Sequence, residues 1–284
     1  MLTALLLVGL AAAGPIEVPT APVPVDTSPV DPVTLRLAAV EGRVTAWRVQ
    51  VNLRVDREAE VRGQSRAIVT TEAVDPDGSA HLLVDTRPVT AEALALGWGR
   101  TVPAAQAAPP VPMIRVHQDP LGRTLDVAVV GEGLHASPAA RIQHQVLGVA
   151  RQLSPGWPEE PVSPGSTWTV DEEVVLPLDH EDVTGTLRLE TTTDFTLEGW
   201  AELEGERLVV LVAEAEILGV GDFDDGGSRM GMVGRSAGRL LVDPATGEPV
   251  WGASRARVTL TVGTYSTQPT VMSATMGFVQ EPSS

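Results

Sequence analysis

In the stretch RVQVNLRV, Val49, Val51, Leu53 and Val55 alternate with Arg48, Gln50, Asn52 and Arg54. Side chains on a strand point to opposite faces in turn, so this period of two predicts a strand with one buried and one wetted face. The pattern recurs along the chain. SRAIVTTEAV and AHLLVDTRPV flank DPDG at 75–78, and MIRVHQ and RTLDVAVV flank DPLG at 119–122. In each case residues that favour turns separate two apolar runs, which predicts a hairpin. Further on, TLRLETTTDFTLEGW sets Leu187, Leu189, Phe195 and Leu197 on one face, and RLVVLVAEAEI follows a turn at Glu204–Gly205–Glu206. GRLLVD and RARVTLTV flank DPATGEPVWGAS, with Val258, Leu260 and Val262 alternating with Arg257, Thr259 and Thr261.

One stretch has a different period. SPAARIQHQVLGVARQL, 137–153, begins with Ser137 as an N-cap and Pro138 at the first helical position, and Ile142, Val146, Val149 and Leu153 then mark one helical face. A helix over 137–153 therefore divides two strand-rich halves, 33–136 and 157–280. Hairpins supply short connections and βαβ crossovers are missing, so the sheet is expected to be antiparallel. The fold class that follows is mainly β, with long antiparallel curved sheets in two similar halves and one covering α-helix. Long amphipathic strands suit either a half-barrel or a sandwich.

The first residues, MLTALLLVGLAAAG, hold an apolar run from Leu2 to Leu10 and then Ala11 and Ala13 in an A-x-A arrangement. This is the pattern of a secretory leader, 1–13, cut to leave Gly14 as the new first residue. The run is too short to span a bilayer, and no later segment is apolar enough to do so. Residues 14–32 are dense in proline, which removes backbone donors and restricts the preceding residue, so they read as an extended linker with little folded structure before Val33. The expected location is the periplasm or the extracellular medium.

Composition narrows the function. The net charge is −17, and all 20 basic residues are arginine with no basic cluster, so nucleic acid is excluded as a partner. There is no cysteine among the 284 residues, which removes disulfides, thiolate metal sites and thiol nucleophiles.

GRSAG, 234–238, fits the G-x-S-x-G spacing of a nucleophile elbow, which needs a strand before the serine and a helix after it. Here Ser236 is followed by the strand pattern GRLLVD, and the last histidine, His180, lies upstream, against the chain order of that hydrolase fold. The glycines are expected to ease a bend or bulge. No catalytic residue is assigned and no cofactor is expected. GDFDDGGS offers Asp222, Asp224 and Asp225 as candidate calcium ligands, but the spacing lacks the closing glutamate of an EF-hand and a solvated turn is expected. LDHEDV gathers Asp179, His180, Glu181 and Asp182 where a hairpin turn is expected, and His81, His117, His135 and His144 are scattered singly with no ligand spacing. No metal site is therefore assigned. Six tryptophans stand beside one tyrosine and three phenylalanines, and Trp47, Trp168, Trp200 and Trp251 are the candidates for contact with an apolar ligand, against the alternative that they anchor the core.

In LSPGWPEEPVSPGSTWTV, 153–170, the residues Pro161, Val162, Gly165 and Trp168 form a P-V-x-x-G-x-x-W core. This joint resembles that of a loosely defined group of exported bacterial β-rich proteins, a domain of unknown function, and the late hairpin 238–262 is similar to the end of that domain. A curved antiparallel sheet covered by a helix also looks like envelope lipoprotein carriers and lipid-binding clamps, a likeness of architecture alone. The expectation is an exported, non-enzymatic protein that binds an apolar small molecule or an envelope protein. A serine hydrolase acting through 234–238 and a calcium-stabilised binding module are the alternatives.

Overall fold

A computed structural model describes residues 16–28, 31–55, 59–95, 100–103, 113–130, 156–180, 183–223, 229–262 and 270–281. The first half forms β1 (Val44–Val55), β2 (Ala59–Val74), β3 (Ala80–Ala95), β4 (Arg100–Pro103), β5 (Met113–Gln118) and β6 (Thr124–Val130). The second forms β7 (Thr167–His180), β8 (Val183–Leu203), β9 (Glu206–Phe223), β10 (Arg229–Val242), β11 (Pro249–Val262) and β12 (Thr270–Gln280). All belong to one antiparallel sheet in the order β6-β5-β3-β2-β1-β12-β11-β10-β9-β8-β7, with β4 paired to β3 beside β5. Each half is thus a meander, and the two join where the first strand of one pairs with the last strand of the other. The sheet is not two packed layers, which decides the fork between sandwich and open half-barrel for the described residues.

The predicted hairpins are present at 75–78, 119–122 and 204–206, and the last turn is shorter than expected, because β11 begins at Pro249 and takes in PVWGAS. The backbone N of Gly78 donates to the carbonyl of Asp75, Gly122 N to Asp119 O, and Gly247 N to Asp243 O. Glu204 and Gly205 have φ of 54° and 85°, the left-handed pair that matches the twist of a tight hairpin. Among the described residues there is no helix, and the expected helix 137–153 lies outside them. No described helix is long and apolar enough to cross a membrane.

Alternation along β8–β12 gives one face of large apolar residues. At one end Leu197, Val209, Leu211 and Val242 pack with Trp200. At the other Leu187, Leu189, Met232, Val258 and Met272 pack together and are 0–6% exposed. Val170 on β7 and Phe278 on β12 line one cavity although five strand steps separate their strands. On a flat sheet that separation would be about 24 Å at about 4.8 Å per step, so the sheet curls around this inner face.

Two extended segments close the structure. Residues 33–38 cross the inner end: Val33 and Val162 exchange hydrogen bonds, Leu37 N donates to Pro120 O, and Leu35 is fully buried with Trp157 and Val162. Residues 19–26 cross the outer face, and here the expectation of little folded structure before Val33 needs correcting. The segment has no strand of its own, but Asp26 and Trp200 exchange backbone hydrogen bonds, and Val23 and Val25 pack on Ala201, Leu208, Val210 and Leu241. Gly199 permits this approach, since a Cβ there would collide with the carbonyl of Asp26. The apolar short side chains of the proline-rich run are what make it a strap.

Candidate functional site

Between its two packed ends the inner face runs out of large side chains. β9 reads Leu211, Ala213, Ala215, Ile217 on this face, β10 reads Leu240, Gly238, Ser236, and β11 contributes Gly252 and Ser254. Small residues clustered on adjacent strands leave a cavity of about 270 Å³, walled by Phe195, Ile217, Leu240, Met276 and Phe278. The space is partly open to solvent, and it exists because small side chains stand side by side on three strands between positions that carry large ones. Gly252 has a specific part in it: Phe278 pairs with it directly across β11–β12, and the ring occupies the place of the missing side chain.

The wall carries a polar mark. Glu172 on β7 lines the cavity, and burial pushes its carboxyl up to about 7, so the neutral form is well populated near neutral pH. Thr191, its cross-strand partner, has a buried hydroxyl without a hydrogen-bond partner. Buried polar atoms are normally satisfied, and an unsatisfied one facing a cavity is a place for a ligand atom. A larger depression of about 450 Å³ lies over β2, β1 and β12, lined by Gln50, Asn52, Arg62 and Gln64. Glu60 already accepts from Arg62 at 2.7 Å and from Asn52 at 3.2 Å, which leaves less unmatched chemistry there.

The four candidate tryptophans lie outside the cavity lining. Trp168 and Trp200 belong to the inner-end cluster, with Trp168 stacked on Phe195 at 5.4 Å and its indole donating to Gly156 O. Trp47 donates to Pro249 O, and Trp251 packs beneath the N-terminal strap. Each anchors a strand end. Trp157 is buried in the same cluster as Leu35, and Trp98 lies outside the described residues.

Ser236 does line the cavity, but on an unbroken strand, paired with Ala215 on one side and Ala256 on the other. That is not the strained strand-to-helix turn of a nucleophile elbow. Nor do its flanking glycines mark a bulge, because pairing runs without a break from Met230 to Leu241 and shifts only between Leu241 and Val242. Asp222, next to last in β9, pairs with Arg229, while Asp224 and Asp225 lie outside the described residues. Asp179 and His180 are the last residues of β7, paired with Thr184 and Val183 of β8; Glu181, Asp182, His135 and His144 fall outside the described residues.

The reading of the histidines as scattered is wrong for two of them. β3 and β5 pair so that His81 stands opposite His117, and their rings stack at 4.2 Å with planes 7° apart. Asp75, in the turn between β2 and β3, brings Oδ2 to 3.1 Å from His81 Nε2 and 3.3 Å from His117 Nε2. The two histidines are 36 positions apart, and only the β3–β5 register makes them neighbours.

No protein-family model matches the chain, and no curated protein matches it. It is similar to a solved structure described as the hypothetical lipoprotein YmcC from Escherichia coli (K12). The two align over 84% of this chain and 85% of that one, at 13% identity and a TM-score of 0.24.

Proposed function

We propose that the protein is an exported, non-enzymatic binding protein that holds a small apolar molecule against the inner face of β7–β12. The observation that carries this is the cavity of about 270 Å³, apolar on most of its wall and set between two close-packed clusters. Small-molecule sites run from roughly 300 to 1,000 Å³, so the occupant is small. The orphaned hydroxyl of Thr191, beside the Glu172 carboxyl that burial pushes up to about 7, favours a ligand with one hydrogen-bonding group on an otherwise apolar body. Export rests on the apolar run Leu2–Leu10 followed by Ala11 and Ala13. The non-enzymatic reading rests on the mid-strand position of Ser236.

Titration with a neutral apolar fluorophore, N-phenyl-1-naphthylamine, tests the proposal. Saturable binding of one probe per chain is expected, lost when Ser236→Phe fills the cavity. Absence of saturable binding, or equal binding by a folded Ser236→Phe variant, overturns it.

A further inference from the structure

We infer that Asp75, His81 and His117 form a site for a divalent transition-metal ion of the zinc class. Among the described residues this is the place where three side chains of metal-ligand type bring one donor atom each within 4.8 Å of one another. The donors are two imidazole nitrogens and one carboxylate oxygen, the borderline set that suits zinc and its neighbours rather than calcium or magnesium. With metal–ligand bonds of about 2.0–2.1 Å, a tetrahedral site has ligand–ligand edges of about 3.3–3.4 Å. The two edges from Asp75 Oδ2, at 3.1 and 3.3 Å, already match that figure.

A purely structural Asp–His contact accounts for less of the arrangement. His81 Nε2 lies in hydrogen-bonding geometry with Asp75, but His117 Nε2 is buried without a hydrogen-bond partner although it faces the same oxygen. An ion at the meeting point of the three donors satisfies that nitrogen. To admit it, the two rings must turn out of their parallel stack so that both lone pairs converge. Their side chains are 33% and 28% exposed and Asp75 is 42% exposed, so there is room for the rotation and for water at the remaining coordination positions. Neighbouring charged groups are otherwise engaged: Glu72 is paired with Arg115, and Asp77 accepts from the backbone N of Ser79.

The backbone supports the ligands. Asp75 is fixed in its turn by the bonds Asp75 N to Ser79 O and Gly78 N to Asp75 O, and both histidines sit on paired strands. The inference is independent of the apolar cavity, which lies on β7–β12.

The test uses untagged full-length protein from the secreting host, stripped with chelator and titrated calorimetrically with zinc chloride. One ion per chain is expected, with affinity falling at least tenfold in His81→Ala, His117→Ala and Asp75→Asn. Because a variant could lose its fold, circular dichroism accompanies each. The unmodified protein supplies a second readout: cobalt(II) should broaden the imidazole resonances of His81 and His117 before those of His135, His144 and His180. No stoichiometric binding, affinity unchanged in the folded variants, or broadening confined to the other three histidines overturns the site.

Discussion

Phe278 lies over Gly252, its cross-strand partner, and the two together shape the floor and wall of the cavity. A Cβ at position 252 would run into that ring and into Leu240. Gly252→Ala should therefore push the Phe278 ring toward the cavity and weaken binding of an apolar probe at least tenfold. Its cost to stability, as for other overpacked sites, is about 1–3 kcal/mol. Probe titration and urea unfolding on the same sample separate the two effects. Full probe affinity in the variant would show that Phe278 does not border the binding space.

Glu172 should make stability fall as pH rises. Its carboxyl is raised by burial from 4.5 to about 7 in the fold. Below 4.5 it is protonated in both states and its full contribution is present; between 4.5 and about 7 the unfolded chain sheds the proton first, so stability is lost through this window. Glu172→Gln removes the effect. The variant should match the natural chain at pH 4.5 and exceed it at pH 8, by on the order of 1–2 kcal/mol once solvent screening of a partly exposed group is allowed for. Urea midpoints at the two pH values check this, and parallel pH profiles would place Glu172 in water.

The N-terminal strap is expected to contribute measurably to stability. Arg239, with its side chain only 14% exposed, donates to Pro19 O at 2.7 Å and to Glu198 Oε1 at 2.9 Å. Arg239→Ala leaves Glu198 without its cation and should destabilise by about 1–3 kcal/mol. Removal of residues 14–26 should destabilise too, and the two changes combined should fall short of their sum because they share an interaction. A denaturation cycle on the four proteins measures the coupling. Strict additivity would mean that Arg239 acts through Glu198 alone.

Leu211 is fully buried among Leu197, Val209 and Trp200 at the inner end of the sheet. Leu211→Ala should cost about 2–5 kcal/mol. Leu218, on the opposite face of the same strand and 53% exposed, should tolerate Leu218→Ala with a change below about 0.5 kcal/mol. Thermal unfolding of both variants distinguishes them; similar losses would mean that the outer face is covered at Leu218 too, beyond the part the strap crosses.

The strands were legible because period-two alternation states directly which side chains turn inward. Leu187, Leu189, Phe195 and Leu197 do share the inner face, and the Asp-Pro and Glu-Gly turns sit between the paired strands. The cavity was less legible. Its signal was the run of small residues, Ala213, Ala215, Ser236, Gly238 and Gly252, but these mark a void only when adjacent strands place them side by side, and register is not written in one strand alone. The His81–His117 pair was hidden for the same reason, since β4 intervenes in sequence between β3 and β5. The tryptophans drew notice by type, whereas the four candidates sit near strand ends, where the indoles of Trp47 and Trp168 donate to backbone carbonyls. In the strap, proline density signalled extension correctly but gave no sign of the surface it crosses.

Whether the inner face holds an apolar molecule is decided by native mass spectrometry of the mature chain, from Gly14, purified from a secreting host without added lipid or detergent. A co-purified apolar molecule of low mass is expected, one per chain, released by organic extraction and absent from Ser236→Phe. A natural chain that stays free of ligand, and that remains free after incubation with extracted envelope lipids, would overturn the binding role.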